Sequence, residues 1–111
     1  MTITARPDAV SRYLDAERQR DIDAMVGCFA PDATVTDEGR TRRGRAEIRQ
    51  WREELAGTLS YTITVLGRRD HAPELSSVPV RVAGDFPGSP VRLTFRFTTQ
   101  QDLITELHIA P

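Results

Sequence analysis

With 111 residues the chain has the length of one compact domain around a single core, and at 39% hydrophobic and 28% charged residues it is not a disordered segment. Fifteen basic residues against sixteen acidic ones leave a net charge of −1, so nothing predicts the clustered positive surface that nucleic acid requires. Every basic residue is Arg, which excludes a Schiff-base lysine and a phosphate-loop lysine. Cys28 has no second cysteine to pair with and only His71 and His108 to accompany it, so neither a disulfide nor a metal site is predicted. No apolar run approaches the ~20 residues of a membrane span, and MTITARPDAV lacks the basic start and apolar run of a leader. A soluble cytoplasmic protein with no membrane partner is expected.

The hydrophobic period changes partway along the chain. From Pro7, the residues Val10, Tyr13, Leu14 and the stem of Glu17 recur at helical spacing. Asp21 suits the cap of a second short helix carrying Ile22, Met25, Val26 and Phe29, with Pro31 as its stop. Residues 32 to 39, DATVTDEG, alternate as a strand with Ala33, Val35 and Asp37 on one face, before a turn at Gly39. A third helix follows Gly44, with Ile48, Trp51, the stem of Arg52 and Leu55 on one side and Gly57 as a plausible C-cap.

Beyond residue 58 the period falls to two. Tyr61, Ile63 and Val65 form one row, Val78, Val80 and Val82 a second, and Val91, Leu93, Phe95 and Phe97 a third; the last run is Leu103 to Ile109. Turns fall at RRDHAPE (68 to 74), GDFPGSP (84 to 90) and TTQQD (98 to 102). Three helices ahead of a series of strands predict one α+β domain spanning residues 1–111, with the helices over one face of a curved, mostly antiparallel sheet. Such a layout leaves a cavity for a small ligand.

The run VSRYLDAERQRDIDAMVGCFAPDATVTDEG, followed by RGRAEIRQWREEL and a closing DLITELHI, resembles the NTF2-like superfamily, which includes SnoaL-like polyketide cyclases and ketosteroid isomerases. The resemblance covers most of the chain and implies a cone-shaped α+β fold. In ketosteroid isomerases a Tyr on the first helix donates to the substrate oxyanion and an Asp at the end of the first strand shuttles the proton. The matching segments VSRYL and DATVTD supply Tyr13 and Asp37. Trp51 resembles an aromatic that lines the family's pocket, and a pocket lined by Phe29, Val35, Trp51, Leu93, Phe95 and Phe97 is expected, with no cofactor. Two departures stand out: Leu93 occupies the place of the second oxyanion acid, and Arg52 replaces a supporting Tyr. Losing one of two oxyanion donors typically costs about 10²-fold or more, so slow turnover of steroids is expected.

Periodicity independently turns Tyr13 and Asp37 inward. Tyr13 at this spacing also suits plain core packing, and Asp37 before Glu38 and Gly39 also suits a turn cap. Glu106 and His108 share one strand face, with Leu103, Leu107 and Ile109 on the other. A one-residue slip in TTQQD would exchange the two faces, and the apolar set argues that Glu106 and His108 face solvent or a second subunit. Cys28 reads as a small core residue. Arg92, Thr94 and Arg96 oppose an apolar row, and with the habit of NTF2-like domains they predict a homodimer through the outer sheet face.

Three functions follow. The first is a cofactor-free isomerase or cyclase acting on a small apolar ketone by proton transfer alpha to the carbonyl. The second is epoxide hydrolysis, which needs an inward Arg that Arg92 and Arg96 do not supply. The third is a non-catalytic dimeric module that binds a small apolar ligand or a protein partner.

Overall fold

The computed structural model describes residues 7–58 and 60–111. Helix α1 (Ala9–Gln19) is capped by Asp8, whose Oδ1 accepts from the Ser11 N–H at 2.9 Å. It closes on Arg20, which takes a left-handed conformation and donates its N–H to the carbonyls of Ala16 and Glu17. Asp21 caps α2 (Ile22–Gly27) as expected, accepting from the Ala24 N–H at 3.1 Å. Helix α3 (Gly44–Thr58) begins at a glycine with φ +84°, and the Glu47 carboxylate reaches back to the Arg43 N–H at 3.1 Å.

The strands correct several expectations. β1 spans Phe29–Asp37, so Phe29 opens a strand instead of ending a helix, and Pro31 lies inside that strand. The pairing register shifts between Phe29 and Thr34, and an exposed Pro at such an irregularity breaks no ladder hydrogen bond. A short β2 (Arg40–Arg43) follows the two-residue turn Glu38-Gly39, in which both residues have positive φ. β3 (Tyr61–Val65) falls where its alternation placed it. β4 (Arg69–Ala72) occupies part of the expected turn, while β5 (Leu75–Gly84) runs past the apolar triplet at both ends. β6 (Val91–Gln100) and β7 (Leu103–Ala110) complete the set. Helix α3 runs through Gly57 instead of capping there. No helix among the described residues is long and apolar enough to cross a membrane.

The strands form one curved, unclosed mixed sheet in the order β2-β1-β7-β6-β5-β3, with β4 also pairing with β5. All pairings are antiparallel except β1 with β7, which is parallel. Register then sorts the inward side chains into rows. Val35, Leu107 and Phe97 stand abreast in one row, and Asp37, Ile109 and Phe95 in the next. The first row and Phe29 are buried beneath α1, where the Tyr13 ring meets Phe29 and Phe97 edge-on, each at 5.6 Å between centroids. The outer face carries Arg81, Arg92, Arg96, Glu106 and His108, all exposed, as the apolar set of β7 had indicated. Cys28 is buried.

At Gly84 the backbone of β5 comes so close to that of β3 that an added Cβ would lie 2.1 Å from the Ser60 carbonyl oxygen and 2.8 Å from Tyr61 Cα. Gly84→Ala must therefore push β3 outward, and a loss of about 1–3 kcal/mol is expected in urea denaturation.

A second expectation concerns acid. Arg68 bridges the α1 cap to the β4–β5 hairpin, with Nη2 2.6 Å from Asp8 Oδ2 and Nε 2.9 Å from Asp70 Oδ1. The hydrogen bond from Arg68 holds the Asp8 carboxyl well below its ordinary value of 3.8, against partial burial and with help from Ser11. Asp70 is lowered too, first by the Ser76 hydroxyl and then by Arg68. A carboxylate lowered on folding stabilises above its ordinary value, and that contribution disappears as the pH falls through the folded value. Wild-type stability should thus decline below about pH 4. Asp8→Asn keeps a capping side chain but loses the charge, so its profile should be flatter there, as denaturation at stepped pH would show.

Candidate functional site

The helices do not fill the sheet's concave face. A cavity of about 310 Å³ remains between α1, α3 and the β3, β5, β6 and β7 strands. Its wall is apolar over Trp51, Leu55, Ile63, Val82, Phe86, Val91, Leu93, Phe95 and Ile109, with polar groups gathered in two places. A predominantly apolar cleft with a few convergent polar groups is the general form of a small-molecule site.

The first polar group is Asp37. As the last residue of β1 its side chain follows Ala33 and Val35 inward, and the turn that comes next leaves it half-buried at the cavity's edge, beside Glu38. Trp51 Nε1 donates to Asp37 Oδ2 at 3.2 Å. Oδ1 accepts no hydrogen bond among the described residues. The arrangement presents one held and one unoccupied carboxylate oxygen, which is what a general base needs.

The second group is a buried cluster that the hydrophobic periodicity concealed. Glu17 and Arg52, counted in the sequence as apolar stems, are only 6% and 4% exposed and face each other across α1 and α3. Arg52 Nε donates to Glu17 Oε2 at 3.2 Å, and Arg52 Nη2 donates to Oε1. Tyr13 donates to Oε2 at 3.0 Å and Tyr61 to Oε1 at 3.2 Å, so four donors meet the carboxylate. Both phenols have their pKa pushed up, first by burial and then by the Glu17 charge, and so remain protonated donors. Burial acts to lower the Arg52 pKa, but the hydrogen bond and charge of Glu17 outweigh it and the net direction is upward. The Tyr61 ring lies against the guanidinium, 5.3 Å from its centroid to Cζ. All four residues also line the cavity.

Of the residues singled out in the sequence, Tyr13, Asp37, Trp51, Leu93 and Phe95 meet on this wall. Phe29, Val35 and Phe97 do not. Val35 stands two residues before Asp37 and Phe97 two residues after Phe95, one row deeper under the helices, and Phe29 lies at the opposite end of β1. The expected lining is corrected accordingly, since these three are packing residues. Glu17, Arg52 and Tyr61 are the members that sequence reasoning missed. The available signal was an acid four residues after Tyr13 on the same inward helix face, together with an Arg on the inward face of α3.

A SnoaL-like domain matches residues 10–107. Among solved structures, a candidate polyketide cyclase from Sinorhizobium meliloti is 38% identical at a TM-score of 0.88, with 94% of each chain covered. A protein of ketosteroid isomerase-like fold from Catenulispora acidiphila DSM 44928, in complex with trimethylamine, is 20% identical at 0.82, over 96% of this chain and 87% of that one. A Mycobacterium tuberculosis protein in complex with estradiol-17β-hemisuccinate is 15% identical at 0.77, over 91% and 88%. The last two establish the fold alone. No curated protein matches the chain. The domain match from α1 to β7, the S. meliloti relative and the NTF2-like arrangement of helices on the sheet agree, and the chain belongs to the SnoaL-like domain family.

Proposed function

We propose that the cavity binds a small, largely apolar ketone and that Asp37 moves a proton alpha to its carbonyl, without a cofactor, as an isomerase or cyclase. The observation that carries this reading is the carboxylate of Asp37 on an apolar wall, with one oxygen held by Trp51 and the other open. In the isomerase form the substrate is a β,γ-unsaturated ketone: Asp37 takes the α-proton, the C–H pair becomes the double bond of a dienolate, and the carbonyl π pair moves onto oxygen. Asp37 then returns the proton at the γ-carbon, where the β,γ π pair forms the new C–H bond as the carbonyl is restored and the double bond settles between the α- and β-carbons. The S. meliloti relative's designation as a candidate cyclase and the steroid-derived ligand of the mycobacterial structure fit a ligand of this class. The test is a panel of enones and polyketide-like ketones compared between wild type and Asp37→Asn. Turnover that disappears while binding persists supports the reading; tight binding without turnover, unchanged in the variant, overturns it.

One observation favours a second reading, a non-catalytic module for a small apolar ligand or a protein partner. The single Tyr13 proton is committed to Glu17, so the hydroxyl that the resemblance cast as oxyanion donor is occupied.

The outer sheet face supports a homodimer. Arg81 and Arg92 stand directly opposite one another, and Arg96 stands opposite His108, so three guanidiniums form a band with Glu106 beside it. A twofold-related copy can set its own Glu106 against this band. Light scattering at micromolar concentration should find a dimer that salt weakens; a monomer throughout would exclude it.

A further inference from the structure

Arg52 spends one edge of its guanidinium on Glu17, through Nε and Nη2. The remaining nitrogen, Nη1, is buried without a hydrogen-bond partner. Tyr61 gives the guanidinium a ring face but no lone pair in its plane. A buried charged donor without an acceptor is among the costlier defects a fold can carry, and each case calls for a partner from outside the chain or a role. The neighbouring acceptors offer nothing: both oxygens of Glu17 already receive two donors each. Arg52 is also a wall residue of the cavity that holds Asp37 and of a smaller one, about 140 Å³, that shares Glu17, Tyr61 and Ile63 with it.

We propose that Nη1 of Arg52 is the oxygen-binding donor of the cavity, so that the site selects small apolar molecules bearing an acceptor-only oxygen: ketones, their enolates and phenolates. Tyr13 has one proton and gives it to Glu17, whereas Arg52 has N–H groups to spare after satisfying the same carboxylate. Glu17 is a positioning residue here. It fixes the plane of the guanidinium and neutralises the pair as a whole, while the edge turned away from it stays locally positive and suits a developing enolate. Nη1 is already desolvated, so an arriving oxygen displaces no water from it. Because Nη1 is sealed in the unliganded fold, an oxygen in the cavity reaches it only once the side chains packed on the guanidinium, the Tyr61 ring among them, move aside. Leu93 replaces the acid that would otherwise serve as a donor, and Arg52 supplies what that position lacks.

The inference rests on the cavity being the ligand site, but not on Asp37 acting as a base. Its test uses two probes of the same ring, 4-nitrophenolate and nitrobenzene, and reads quenching of Trp51, the single tryptophan, which lines the cavity. Wild type should bind the phenolate more tightly by roughly 10- to 100-fold, the range of a hydrogen bond to a charged group. Bound 4-nitrophenol should also ionise at lower pH than the free compound, visible in its absorbance. The double variant Glu17→Gln/Arg52→Met removes both charges together, and its preference should fall to about onefold while nitrobenzene affinity persists. If that variant does not fold, Glu17→Gln/Arg52→Gln serves, because it likewise removes both charges and leaves a shorter, neutral side chain at position 52; its preference should fall likewise. A preference that survives either substitution overturns the inference, since a merely structural Arg52 would change stability and leave the ratio alone. Asp37→Asn should retain the preference. Loss of turnover in Asp37→Asn with no phenolate preference in wild type sinks this inference alone, and absence of quenching by both probes sinks it together with the cavity reading.

Discussion

Asp37→Asn is expected to slow proton transfer on an enone by about 10²- to 10⁴-fold, the usual range for a positioned general base, while changing ligand affinity little. Asn keeps the shape of the side chain and still offers an oxygen to Trp51 Nε1, which lies 3.2 Å from Asp37 Oδ2. The wall therefore stays intact and only the basic lone pair is lost. Kinetically, kcat and kcat/KM should fall together, the signature of an interaction made in the transition state. Tyr13→Phe should do less, because it removes one of four donors to Glu17 and leaves the base and Arg52 in place. A variant pair with the opposite ranking, Tyr13→Phe abolishing turnover and Asp37→Asn sparing it, would move the chemistry to the buried cluster.

The second large effect concerns stability. Arg52→Met strands a buried Glu17 charge, and breaking a buried pair by removing one partner costs about 3–5 kcal/mol. A domain of this size has only about 5–15 kcal/mol to lose. Glu17→Gln strands the guanidinium in the same way. The double variant Glu17→Gln/Arg52→Met leaves no unpaired charge and retains an acceptor for Tyr13 and Tyr61, so most of the loss should return. Urea denaturation of all four proteins closes the cycle. Single losses that simply add in the double variant would show that the two side chains do not depend on each other.

The long alternating runs announced β3, β5, β6 and β7 because side chains two apart must share a sheet face, and the inward row of Val91, Leu93, Phe95 and Phe97 made that face apolar. β2 and β4 gave no such signal. Arg40–Arg43 and Arg69–Ala72 are short and largely exposed, and they exist because a tight turn lays them beside a longer strand. Tertiary pairing likewise drew Phe29 into β1 despite Pro31. At the site, Tyr13 and Asp37 were legible since each continues a local pattern of burial. Glu17 and Arg52 were not, because charges are seldom buried without a partner. Here the partner lies 35 residues away, beyond the reach of any local period. The depth of the aromatic residues was hidden for a related reason. Which row of a sheet roofs a cavity depends on cross-strand register, and register between β1 and β7 is fixed by contacts between segments about 70 residues apart in the chain.

That parallel pairing of β1 with β7 bears on the order in which a ribosome delivers the fold. β1 emerges early, along with α1 and α2, yet the strand that separates it from β6 is the last of the elements to be made. Until residues 103–110 are available, β1 and β6 both present an open strand edge. The nascent chain can form helices and the β5–β6 hairpin, but it cannot join them into one sheet, and Asp37 has no floor of Ile109 beside it. A chain stopped before Leu103 should therefore accumulate as an aggregation-prone species with neither a cavity nor a closed core. The cavity is therefore expected to form only once β7 stands between β1 and β6.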